Sequence, residues 1–162
     1  MRNPKTIEKP VMSTKVYRAS EVITEIDKTI KDMKTNWDII RNWNVCDKGK
    51  PSKYDLKKVY ALNITLEKRI IELKTISICI NLGYTSINQL PKDSSFPTIY
   101  VRSQLLSRIQ NLKTIDTKFN NNTEVVTFNK SFIDKEIKTL NQEVIKCSAE
   151  LTEFNSKKQL VA

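Results

Sequence analysis

The chain contains no histidine, and glycine appears only twice in 162 residues. Without histidine, neither a Ser-His-Asp nor a Cys-His constellation can be assembled, and a zinc site loses its commonest nitrogen ligand. Two glycines are too few for loops that bring backbone against phosphate, and no P-loop, G-x-G-x-x-G or H-E-x-x-H motif is present. With proline also sparse, the turn-rich all-β folds are disfavoured. Three cysteines, Cys46, Cys79 and Cys147, are odd in number and far apart, so no disulfide framework is expected. No apolar run approaches the roughly 18 residues that a membrane span needs. The opening segment, MRNPKTIEKPVMSTK, lacks the apolar core of a signal peptide. The expectation is a protein not secreted by a signal peptide, located in the cytoplasm or within a virion or other large assembly.

Isoleucine, lysine and asparagine fill the space left by these absences. Hydrophobic residues make up 39% of the chain, below the usual figure of about 45–50%. Alanine and glycine account for much of the shortfall, so large aliphatic side chains still suffice for the core of one domain. Lysine and arginine outnumber acids 28 to 18, a net charge of +10. Such a surplus favours polyanionic partners: nucleic acid, acidic protein surfaces or anionic lipid. A+T-rich coding yields the same lysine-rich, arginine-poor bias with no ligand selected, and phosphate-reading sites usually recruit arginine for its planar fork.

The spacing of apolar residues predicts an all-α fold of about four helices, packed as a bundle or as elongated helical hairpins. Residues 1–19 read as an extended basic arm, 20–156 as the helical domain and 157–162 as a tail. The first helix is expected over Ser20–Arg41, capped by Ser20, with Ile26, Ile30, Met33, Trp37 and Ile40 as its seam. Residues 42–51 read as a loop with Trp43 docked on the bundle. The second helix is expected from a cap at Ser52 to Leu82, stopped by Gly83. Its seam is Leu56, Val59, Leu66, Ile70, Leu73 and Ile80, interrupted by Asn63 and Ser77, with a second stripe at Ile64, Ile71 and Ile78. Apolar on two faces, it should be central. The third helix is expected from Pro97 or Thr98 to Phe119, after a connection that packs down through Tyr84, Ile87, Leu90 and Phe96. Glu124–Phe128 prefers extended structure and, with no second strand in view, reads as a lead-in. The fourth helix, from a cap at Asn129 to about Asn155, holds strict four–three spacing at Ile133, Ile137, Leu140, Val144, Cys147, Leu151 and Phe154. Seams of this kind predict an interior of hydrocarbon alone.

Candidate chemistry is thin. Asp27 with Asp32, and Asp134 with Glu136, lie on lysine-rich helix faces and read as solvated surface acids. Glu-x-x-His pairs for a di-metal bundle cannot be supplied, so no catalytic, metal or cofactor residues are assigned. Cys79 and Cys147 fall on apolar faces and read as small core residues. One basic cluster, Lys48, Lys50, Lys53, Lys57 and Lys58, continued by Lys68 and Arg69, has Tyr54 and Tyr60 interleaved. With the arm it forms a candidate nucleic-acid-binding surface, phosphates on lysine and bases on tyrosine. A solvated helix start with packed tyrosines is the plainer reading of the same residues.

Two stretches resemble a known family. Leu66-Glu67-Lys68-Arg69-Ile70 runs on to Cys79-Ile80-Asn81, then Leu90-Pro91 and Arg102-Ser103-Gln104-Leu105; Val125-Val126 is followed by a long helix ending at Glu153-Phe154-Asn155. Their order is similar to that of the septicolysin-like family of small bacterial helical proteins. The chain departs from the family at Ser103, where an acid is usual, and at Lys92-Asp93, where the connection usually contains glycine. The resemblance implies a helical fold and no particular activity. The leading expectation is a non-enzymatic structural or assembly subunit that binds protein partners, or itself, through helix faces inside a larger complex such as a virion or ribonucleoprotein. The alternative is the basic nucleic-acid-binding module. No small-molecule substrate is implied.

Overall fold

A computed structural model describes residues 15–118 and 122–157. Among the described residues the chain forms four long helices: α1 (Ala19–Trp43), α2 (Leu56–Asn81), α3 (Phe96–Lys113) and α4 (Lys130–Lys157). Residues 1–14 of the expected basic arm, Phe119 and the tail from 158 onwards lie outside the described residues. Two three-residue strands, β1 (Val45–Asp47) and β2 (Glu124–Val126), pair antiparallel with Val45 opposite Val126 and Asp47 opposite Glu124. The expected lead-in therefore has a partner strand, inside the segment that reads as a loop. Three residues are too few to display the two-residue alternation that marks a strand in sequence.

The helix ends follow local hydrogen bonding. α1 starts one residue before Ser20, after Arg18, with no side-chain cap. Ser52 does not cap α2: its hydroxyl accepts from Tyr54 N–H and forms a local turn. Asp55 takes the cap, accepting from Lys58 N–H at 3.3 Å. Gly83 stops α2 as expected, at φ +77°. Gly83 N–H donates to Ile80 O and Tyr84 N–H to Cys79 O, the double bond pattern of a left-handed helix stop. α3 ends at Lys113, six residues short of Phe119, where Thr114 Oγ1 donates back to Asn111 O. The chain beyond then leaves the helix and turns Ile115 into the core. Asn129 caps α4 as its sequence predicts, accepting from Phe132 N–H.

Packing is by hairpins. α1 lies against α2, α3 against α4, and α2 joins the two pairs through α3. The main core gathers where all four helices meet, with Trp37 and Ile40, Leu56 and Tyr60, Ile109 and Leu112, and Ile133 and Leu140. Burying each such aliphatic side chain contributes about 1.5–3 kcal/mol. In α1 the buried line is Val22, Thr29, Met33, Trp37 and Ile40. Ile30, expected on that seam, is 47% exposed because no helix covers it. The α4 seam is buried at Ile133, Leu140 and Val144 and only half-buried at Cys147, Leu151 and Phe154. Cys79 is buried as expected, and burial pushes its thiol above the usual range.

Asn44 clasps the base of the molecule and is fully buried. Its Nδ2 donates to Asp116 O and to Phe128 O, both at 2.9 Å, and its Oδ1 accepts from Phe128 N–H at 2.7 Å. Its carbonyl accepts from Thr127 N–H, which continues the β1–β2 ladder. Asn44→Ala strips hydrogen bonds from the buried N–H and C=O of Phe128 and from the more exposed carbonyl of Asp116, and each orphaned buried group costs about 1–3 kcal/mol. The variant is expected to lose about 3 kcal/mol of unfolding free energy, seen as a lower urea midpoint at unchanged slope.

Candidate functional site

The 4–3–4–3 line of α2 is Leu56, Tyr60, Asn63, Glu67 and Ile70, and all five are buried. Three of them are polar, which corrects the expectation of a hydrocarbon interior. Asn63 accepts from Asn36 Nδ2 at 2.9 Å and donates to Met33 O at 3.3 Å, fixing α1 against α2. Glu67, 4% exposed, receives Arg108 of α3 through two guanidinium nitrogens. Its carboxylate pushes the guanidinium pKa up against the opposing effect of burial. Tyr60 OH donates to Glu136 of α4 at 2.8 Å. Burial first, then Glu136, raises the phenol pKa well above its usual value. Glu136 is thus not the solvated acid its sequence context predicts, whereas Asp27, Asp32 and Asp134 are exposed.

The Glu67–Arg108 pair sets α3 on α2 and so builds a groove. The groove, about 310 Å³, runs between α1 and α3 over α2. Ile70 of α2 is its floor, with Met33 and Trp37 from α1. Ser103, Gln104, Ser107 and Asn111, a polar wall, flank Arg108 on α3. At the lower end Arg41 crosses from α1 to α3: Nη1 donates to Asn111 Oδ1 and Thr114 Oγ1, each at 3.1 Å, while Nη2 pairs with Asp38 at 2.6 Å. Ile30 and Lys34 form the α1 rim. Ile23, one heptad above Ile30 on the same face, is 57% exposed.

The basic cluster divides. Lys48 and Lys50 lie in the turn after β1, Lys53 precedes α2, and Lys57, Lys58 and Lys68 stand on α2; all six are exposed. The Lys53 ammonium lies 5.2 Å from the centre of the Tyr54 ring, and that ring lies 6.4 Å from Trp43. Lys57 and Lys68 share one helix face roughly 16 Å apart along the axis. Two residues do not join this surface. Tyr60 is in the core beside Trp37 and Phe128. Arg69 is half-buried, paired with Glu25 at 2.6 Å and Glu72 at 2.9 Å and bonded to Tyr17 OH. Among the described residues no group of three or more Cys, Asp and Glu side chains is placed to hold a metal, and no helix is long and apolar enough to cross a membrane.

Spacing alone does not single out Glu67: the aliphatic line through Val59, Asn63 and Leu66 keeps the same four–three rhythm as the buried line through Tyr60, Asn63 and Glu67. Arg108 carries no signal either, since its position beside Ile109 and Leu112 marks nothing until α2 is laid against α3.

No family model, curated protein or solved structure matches the chain. The likeness to the septicolysin-like family rests on the quoted stretches alone.

Removing one member of the buried pair strands the other charge. Arg108→Met or Glu67→Leu is expected to cost about 3–5 kcal/mol, while the double variant recovers most of that loss. Chemical denaturation of the four proteins checks this as a double-mutant cycle.

Proposed function

We propose that this protein is a non-enzymatic helical assembly subunit that binds a protein partner through the groove between α1 and α3. The observation that carries this reading is the uncovered apolar edge of α1. Ile23 and Ile30 stand about half exposed, seven residues apart, beside a groove whose floor is Ile70. A helix laid in such a groove covers residues at heptad intervals, the usual way helical domains take helical partners. A chain rich in lysine, with no metal-holding group of side chains among the described residues, fits a place inside a larger complex, such as a virion or a ribonucleoprotein.

The test is the mass and composition of the particle recovered with the full-length protein at near-physiological salt. A complex of fixed stoichiometry is expected, dissociated by Ile30→Asp and unaffected by Lys57→Glu. A monodisperse monomer at high concentration, with no Ile30-dependent partner, contradicts the proposal.

A second reading has its own support. Lys48, Lys50, Lys53, Lys57 and Lys58 are exposed around the Tyr54–Trp43 pair, an arrangement suited to a phosphate backbone with a base stacked on Tyr54. On this reading, affinity for a single-stranded oligonucleotide falls steeply as salt rises. It also drops about tenfold in Tyr54→Ala, since a stacked base contributes about 1–3 kcal/mol. Binding that is flat with salt, or absent at low salt, removes it.

A further inference from the structure

We infer that a single strand of nucleic acid runs along the exposed face of α2, from Tyr54 at the foot of the helix to Lys68, an inference that rests on the nucleic-acid reading above and gives that reading a path. Lys57, Ala61, Thr65 and Lys68 follow one another three or four residues apart, which sets them on one stripe of the helix, and all four are exposed. Lysine marks the two ends of the stripe. The short side chains of Ala61 and Thr65 lie between them, so a sugar-phosphate backbone can approach the helix closely. The stripe is roughly 16 Å long, about five phosphates at the ~3.4 Å spacing of one stacked strand. Lys58 stands beside its lower end, and Lys48, Lys50 and Lys53 continue the charge into the turn before α2.

Charge sets the sign of the occupant. From Leu56 to Leu66 the helix contains no acid, and Lys57 and Lys68 make no ion pair among the described residues. The neighbouring carboxylates have partners. Asp47 accepts from Gly49 N–H at 2.7 Å. Asp55 caps α2, and its contact with Lys58, 4.0 Å long and open to water, holds that lysine weakly. Glu136 of α4 accepts from Tyr60 OH, and Glu72, one turn above Lys68, pairs with Arg69 at 2.9 Å. The ring at the foot favours one strand over two. Lys53 lies over Tyr54 and is itself exposed, so it can yield the ring to a base and take the adjoining phosphate. A duplex keeps its base faces stacked on one another and offers Tyr54 none.

Titration of the full chain with a fluorescent thymidine oligonucleotide of about eight nucleotides, repeated across salt concentrations, tests this path. Lys57→Ala and Lys68→Ala should each lower the slope of log affinity against log salt by about 0.7, the value of one single-strand phosphate contact. Lys34→Ala, on α1, should leave the slope as it was. Ala61→Glu or Thr65→Glu places a carboxylate under the strand and should weaken binding about fivefold at low salt, the repulsion of unit charges roughly 4 Å apart in water. Ala149→Glu on α4 makes the same change in net charge away from the path and should weaken binding less than about twofold. All these positions are exposed, so unchanged thermal transitions are expected and serve as the folding control. The same sequence presented as a duplex should bind more weakly. Salt-dependent binding that Ala61→Glu and Ala149→Glu weaken equally, or whose slope Lys68→Ala leaves unchanged, overturns the path along α2 and leaves the nucleic-acid reading standing. A duplex bound as tightly as the single strand overturns the inference in the same way. Absence of salt-dependent binding removes the path and the nucleic-acid reading together.

Discussion

A single buried ion pair, Glu67 with Arg108, decides how the two hairpins of this protein meet. Two charges taken out of water lose several kcal/mol of hydration each, and their attraction offsets that loss only when the geometry is close and hydrogen-bonded. Here two nitrogens of the guanidinium reach the carboxylate. The pairing fits one register of α3 on α2 and no neighbouring one, because a shift by one turn would leave both charges buried and alone. Apolar contacts hold the helices together; the ion pair says where along each other they lie. Asn63, bonded to Asn36 and to Met33 O, does the same for α1 on α2, and Tyr60 with Glu136 for α4. α2 thus carries one polar anchor for each of its three neighbours, spaced along one seam.

That arrangement leaves a groove between α1 and α3 over α2, spanned by Arg41. A bundle with a fifth helix in that space would bury Ile23 and Ile30. The groove is therefore a consequence of register as much as of composition, and the proposed partner helix is the element that the hairpins lack. The basic turn around Tyr54 precedes α2, whereas Arg69 stands midway along that helix, its charge neutralised by Glu25 and Glu72. Much of the chain's positive surplus is accordingly solvated lysine spread over several faces.

The sequence revealed the four helices because long four–three patterns with few glycines and prolines have one structural outcome. It located Gly83 and Asn129 correctly, since a left-handed stop and an asparagine cap each depend on a single residue's chemistry. It misplaced the first cap of α2, where Ser52 and Asp55 both qualify and only the chain's path chooses between them. It missed the β1–β2 pair, whose strands lie some eighty residues apart in the chain and depend on Asn44 for their alignment. Reading seams as aliphatic lines concealed Tyr60 and Glu67, and it placed Ile30 in the core. Whether a periodic residue is covered depends on which helices surround it, a property of the assembled bundle that no single helix encodes.

If the Glu67–Arg108 pair fixes the register of the hairpins, breaking it should loosen one half of the molecule and spare the other. Amide hydrogen exchange in the Glu67→Gln variant reads this helix by helix. The account predicts faster exchange through α3 and at its contacts with α2, with α1 still protected where it packs on α2 through Asn63. Equal acceleration in all four helices, or protection in α3 unchanged from the parent, would contradict it.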